Sequence, residues 1–129
     1  MPKLERILCV EDDPDIQAVI RLALERVGGF TVMLCASGRT ALDSVAGFRP
    51  DLILLDVMMP GLDGPGTLAA LRQLPGAAAL PVIFMTAKVQ PDELDHYLSL
   101  GALAVVAKPF DPMTLAHEIR AHWQRHHGG

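Results

Sequence analysis

A chain of 129 residues has room for one domain of ordinary size, and with half of those residues apolar it can bury a full hydrophobic core. Eleven Lys and Arg stand against fifteen Asp and Glu, a net charge of −4 with no long basic run, so no basic patch points to a nucleic-acid partner. No apolar run approaches the ~18 residues that span a bilayer. The opening Met1-Pro2-Lys3-Leu4-Glu5-Arg6 also lacks the apolar stretch of a secretory signal, so the expectation is a soluble, cytoplasmic protein with no membrane partner.

Short apolar runs alternate with helix-patterned stretches five times. Arg6–Val10 reads as the first strand, and Asp13-Pro14 opens the first helix with an N-cap acid and a proline at the first helical position. Ile16, Ile20, Ala23, Leu24 and Val27 form the buried stripe of that helix, and Gly28-Gly29 ends it. Thr31–Cys35 is the second strand, followed by a helix from Ser37 or Gly38 to about Phe48. Leu52–Leu55 is the third, followed by a helix over about Pro65–Leu74 whose entry through Gly64-Pro65-Gly66 is weak. Pro81–Met85 is the fourth, and Pro91 opens a helix that closes at Gly101. Ala104–Ala107 is the fifth. Asp111-Pro112 repeats the cap-and-proline device for a last helix that turns Leu115, Ile119 and Trp123 inward. The strands are apolar throughout rather than alternating, which predicts a parallel sheet covered on both faces. Cys9 and Cys35 lie inside apolar runs and read as reduced core residues. The whole chain reads as one α/β domain over 1–129 with its core at about 6–123, and no linker or further domain is expected.

In such a sheet, the residues just past the strand ends converge on one edge. Here they are Glu11, Asp12 and Asp13 after the first strand, Asp56 after the third, Thr86 after the fourth and Lys108 after the fifth. Clustered carboxylates repel one another, and a hard cation with oxygen ligands resolves the conflict; Mg²⁺ is the usual choice where a phosphate also binds. A carboxylate beside Mg²⁺ and a lysine can attack a phosphoryl group, with the cations and the threonine hydroxyl stabilising its oxygens. Asp13 is accounted for by its capping role and is not a first-choice metal ligand.

The segments Ile7-Leu8-Cys9-Val10-Glu11-Asp12-Asp13, Asp56-Val57-Met58-Met59-Pro60-Gly61-Leu62-Asp63-Gly64, Thr86-Ala87 and Lys108-Pro109-Phe110 resemble the receiver domains of response regulators in two-component phosphorelays. Counted from Asp56, the acidic pair lies 44 and 45 residues upstream, Thr86 30 downstream and Lys108 52 downstream. The resemblance implies a flavodoxin-like (βα)₅ doubly wound sheet in the order 2-1-3-4-5. It further implies that Asp56 is the phosphorylated residue and that Asp12, Glu11 (directly or through water), Asp56 and the carbonyl of Met58 hold Mg²⁺. Thr86 and Lys108 would contact the phosphoryl group, and the Lys108-Pro109 peptide would be cis. The implied partners are a sensor histidine kinase or histidine phosphotransfer protein upstream and a protein target downstream. Such a domain is a signalling phosphoacceptor rather than an enzyme. Met58 and Lys88, two residues after Asp56 and Thr86, flank the route of water in the family and would tune the phosphoryl lifetime. Val105 departs from the family, where an aromatic switch residue is common, and is expected to stay buried in both signalling states.

Two other classes stand beside this reading. A haloacid-dehalogenase-type phosphatase also uses an aspartate after a strand, but it needs a second acid where this chain has Met58. An interaction module that works without phosphorylation would have no need of all five chemical positions. No Gly-x₄-Gly-Lys-Ser/Thr loop is present for a nucleotide. His122 and His126, four apart beside His127, read as a polar, frayed helix end rather than a metal pair, and His96 and His117 as surface residues.

Overall fold

Five parallel strands, β1 (Arg6–Val10), β2 (Thr31–Cys35), β3 (Leu52–Asp56), β4 (Val82–Thr86) and β5 (Ala104–Ala107), form one sheet in the order β2-β1-β3-β4-β5. The computed structural model describes residues 3–128; Met1, Pro2 and Gly129, the ends of the expected 1–129 span, lie outside the described residues. Helices α1 (Pro14–Arg21), α2 (Gly38–Phe48), α3 (Gly64–Leu71), α4 (Pro91–Ser99) and α5 (Leu115–Gly128) connect and follow the strands.

Alternate strand residues feed two separate cores, because successive side chains point to opposite faces. Ile7, Cys9, Leu52 and Leu54 pack with Ile20, Leu24, Leu115 and Trp123, so α1 and α5 cover one face. Leu8, Val10, Ile53 and Phe84 pack with Val45, Leu68 and Tyr97, so α2, α3 and α4 cover the other. Cys9 and Cys35 are free, buried and divided between the two cores.

Several boundaries depart from expectation for identifiable reasons. The helix opened by Asp13 does not run uniformly to Val27: after Arg21 it widens into a π-helical stretch, Leu22–Val27, with Gly28 N bonded to Ala23 O at 3.1 Å. The extra residue per turn rotates Val27 outward, to 40% exposure, so it leaves the stripe. Gly28 comes so close to α5 that a Cβ there would stand 2.8 Å from the Ala116 Cβ, and Gly29 takes the left-handed φ of +74° that ends the segment. Arg120 of α5 donates to Gly28 O and lies over the Phe30 ring, 4.3 Å from its centre. Pro81 falls outside β4, having no N–H for the ladder, though its carbonyl accepts from Ile53 N at 3.0 Å. Asp111 caps a turn rather than the helix: its carboxylate takes Met113 N at 2.8 Å and α5 starts only at Leu115. The α3 helix starts at Gly64 under an Asp63 cap (Gly66 N to Asp63 Oδ1, 2.8 Å) and stops at Leu71, short of Leu74. The histidine end of α5 is helical through Gly128 rather than frayed.

No helix among the described residues is long and apolar enough to cross a membrane.

Candidate functional site

The carboxyl ends of the central strands are tied together by main-chain hydrogen bonds just where the candidate residues emerge. Glu11 N reaches Cys35 O at 3.0 Å, Val57 N reaches Met85 O at 3.0 Å, and Lys108 N reaches Thr86 O at 2.9 Å. Rigid strands therefore set the positions of Glu11, Asp56, Thr86 and Lys108. Glu11 is held further by Gln17, whose amide donates to its carbonyl at 2.6 Å. Asp13 N approaches the Glu11 carboxylate at 3.3 Å.

Glu11, Asp12 and Asp56 each present a carboxylate oxygen within 4.8 Å of the others; Glu11 and Asp56 are buried and Asp12 is exposed. Lys108 Nζ lies 2.5 Å from Glu11 Oε1 and 3.2 Å from Asp56 Oδ1. Among the described residues, one ammonium stands against three carboxylates in the cluster, an excess of negative charge. Burial pushes the Glu11 carboxyl above its ordinary value; the Lys108 hydrogen bond opposes that and the Asp56 charge reinforces it. Burial alone would lower the Lys108 ammonium, but the hydrogen bond to Glu11 and the charges of Asp56 and Glu11 outweigh it and leave it raised.

The donor set suits a small hard cation. All three groups supply oxygen, and opposite ligands of a Mg²⁺ ion at 2.0–2.1 Å stand about 4.2 Å apart, close to the spread found here. Asp13 is not part of the convergent set; its side chain caps α1 by accepting from Asp15 N at 2.8 Å.

Thr86 is buried, and its Oγ1 accepts from Lys88 N at 3.0 Å, which leaves its hydroxyl hydrogen to be donated elsewhere. The Lys108-Pro109 peptide is cis. Met58 has a 64% exposed side chain and Lys88 is exposed, so both stand open to water two residues beyond Asp56 and Thr86. Val105 is half-buried rather than buried, lining a groove with Leu94, Leu98, Leu103 and His122. His122 is engaged by Arg125 at 2.6 Å and lies 3.8 Å from Glu118, and the described histidines join no convergent metal-ligand group. His96 and His117 are exposed, as expected.

Sequence reasoning did not single out Gln17 or Gly64. A Cβ on Gly64 would stand 2.5 Å from Asp56 O and 2.8 Å from the Val57 Cα. Only its place at the end of Gly61-Leu62-Asp63-Gly64 hinted at a role.

The chain matches the response regulator receiver domain family over residues 7–120. It is 41% identical over 125 residues to the transcriptional regulatory protein CseB of Streptomyces coelicolor, covering 95% of this chain and 52% of that protein. It is 37% identical to the DNA-binding response regulator MtrA of Mycolicibacterium smegmatis, covering 94% of this chain and 51% of MtrA. The chain thus spans about half the length of these curated relatives. Among solved structures, the chemotaxis protein CheY4 of Vibrio cholerae superposes with a TM-score of 0.84 at 28% identity, over 92% of this chain and 98% of that one. The receiver domain of a signal transduction histidine kinase from Syntrophus aciditrophicus gives 0.79 at 30% identity, over 94% of this chain and 91% of that one. The expectation that nucleic acid is no partner does not survive, because MtrA is named as DNA-binding. A charge count over this stretch carries no information on what longer proteins of the same kind touch elsewhere.

Proposed function

This chain belongs to the response regulator receiver family of two-component systems, and on that premise we propose that Asp56 is its phosphoacceptor and that the carboxylate cluster holds one Mg²⁺. The observation that carries the proposal is the convergence of Glu11, Asp12 and Asp56 with Lys108 at the carboxyl edge of the sheet. Asp12, Glu11, Asp56 and the Met58 carbonyl would hold the Mg²⁺, which would supply charge neutralisation at the phosphoryl oxygens. Asp56, fixed at the end of β3, presents its carboxylate as the nucleophile. Lys108, with its ammonium 3.2 Å from that carboxylate, faces it before transfer and pairs with a phosphoryl oxygen afterwards. Thr86 donates its hydroxyl to another phosphoryl oxygen, and the loop after β4 follows it. Met58 and Lys88 border the approach of water and so tune the lifetime of the phosphoryl group.

The phosphoryl group comes from a sensor histidine kinase or a histidine phosphotransfer protein. An apolar groove beside Lys108, between Ile16 and Val19 on one side and Pro109 and Phe110 on the other, suits the donor's approach. The phosphorylated surface is then read by a protein target. Likeness to relatives named as transcriptional and DNA-binding regulators supports an output that reaches DNA. The chain serves as a cytoplasmic signalling phosphoacceptor rather than a turnover enzyme, and residues 1–129 act as one receiver unit.

Incubation with a small acyl phosphate donor tests this. Label should enter the parent only with Mg²⁺ and should not enter Asp56→Asn. Stable labelling of Asp56→Asn, or full labelling in excess chelator, would overturn the reading.

A further inference from the structure

Gly64 opens α3 and is buried, and its amide donates to Val57 O at 3.0 Å. A Cβ built on it meets Asp56 O at 2.5 Å, the Val57 Cα at 2.8 Å and the Asp56 carbonyl carbon at 3.2 Å. All three atoms are backbone of the strand end that carries the acceptor, so no side chain can rotate away to relieve the contact. Its φ lies outside the left-handed range, so what the position requires is proximity rather than backbone freedom. The Asp63 carboxylate caps Gly66 N, and the Asp63 carbonyl accepts both Thr67 N at 2.9 Å and the Thr67 hydroxyl at 2.7 Å, which fixes the turn that presses Gly64 inward.

We propose that Gly64 is a positioning residue for phosphoryl transfer: lacking a Cβ, it lets the first turn of α3 seat against the Asp56–Val57 peptide and so fixes the backbone that aims the Asp56 carboxylate and leads to Met58. The proposal rests on the phosphoacceptor reading above. A displacement of even half an ångström at this peptide moves one carboxylate of the cation site while leaving Glu11 and Asp12, which follow β1, where they are.

The test compares the parent with Gly64→Ala and with Gly47→Ala, a helical glycine whose added Cβ meets nothing within 4 Å. Melting temperature, the Mg²⁺ concentration for half-maximal labelling, and the labelling rate with a small acyl phosphate at saturating Mg²⁺ are measured for each. Gly64→Ala should raise half-saturating Mg²⁺ at least threefold and slow labelling at least tenfold; Gly47→Ala should match the parent in both. A merely structural glycine would lower the melting temperature and leave half-saturating Mg²⁺ unchanged, and that result overturns the proposal. If Gly64→Ala gives no cooperative melt, Asp63→Ala, which loosens the same turn and touches none of the clustered carboxylates, decides. A threefold or greater rise in half-saturating Mg²⁺ upholds the role, and an unchanged value overturns it. An unlabelled parent would instead overturn the phosphoacceptor reading, and the role of Gly64 with it.

Discussion

Replacing Lys108 by methionine keeps the aliphatic stem and removes the ammonium that faces Glu11 and Asp56. Breaking a fully enclosed ion pair by deleting one partner costs roughly 3–5 kcal/mol. Lys108 keeps 18% of its side-chain surface, so water reaches the pair from one side, and a loss of about 2–3 kcal/mol is the expectation without metal. For a domain of this size that is a fall of about 6–15 °C in melting temperature. The loss should depend on pH. The folded-state Glu11 carboxyl is raised above its ordinary 4.5, so its contribution is fully present below 4.5 and is lost as pH rises through the folded value. Without the lysine that opposes the rise, the folded value climbs further, so the gap between variant and parent should widen from pH 5 to pH 8. Added Mg²⁺ should narrow it, since a cation can take the lysine's place between the carboxylates. Thermal melts of both proteins at pH 5 and pH 8, each with chelator and with millimolar Mg²⁺, make the assay. A variant that melts like the parent in chelator at pH 8, or whose deficit ignores Mg²⁺, would refute the reasoning.

The parent itself should gain about 1.4 kcal/mol from Mg²⁺ at ten times its dissociation constant, and Asp12→Ala should lose most of that gain in the same melts. Asp13→Ala removes the cap on Asp15 N and should cost about 1 kcal/mol, while labelling by a small phosphodonor stays within twofold of the parent. Thr86→Ala should compress the ratio of phosphorylated to unphosphorylated affinity for a partner by about tenfold, or about 1.4 kcal/mol of coupling, measured by titration calorimetry. Val105→Ala should lower the melting temperature and preserve that ratio, because a short, stiff side chain has no second arrangement to adopt.

The strands were legible because each is a continuous apolar run, and their order followed from the family resemblance, which the sheet bears out. The meeting of Glu11, Asp12, Asp56 and Lys108 was legible because each ends a strand or lies within two residues of its end, and parallel strands bring such ends to one edge. The π-helical turn was not, since Val27 fits a 3.6-residue stripe and nothing local announces one extra residue in the turn. Asp111-Pro112 misled because an aspartate that caps a helix and one that closes a turn use the same hydrogen bond to an amide two residues on. Gly64 stayed hidden because its demand comes from a neighbour eight residues away that only the packed fold brings close. Val105 is half-buried because its strand lies at the edge of the sheet beside the groove under α4, which an apolar residue in sequence does not reveal.

Reductive trapping tests the central claim most directly. An aspartyl phosphate is a mixed anhydride that borohydride reduces to homoserine, whereas phosphoserine and phosphothreonine are untouched. The parent, treated with a small phosphodonor and Mg²⁺ and then reduced, should carry homoserine at position 56, as read by peptide mass spectrometry, and none when Mg²⁺ is chelated. Homoserine at another aspartate, or a phosphoryl group that resists reduction and maps to Thr86, would contradict the account.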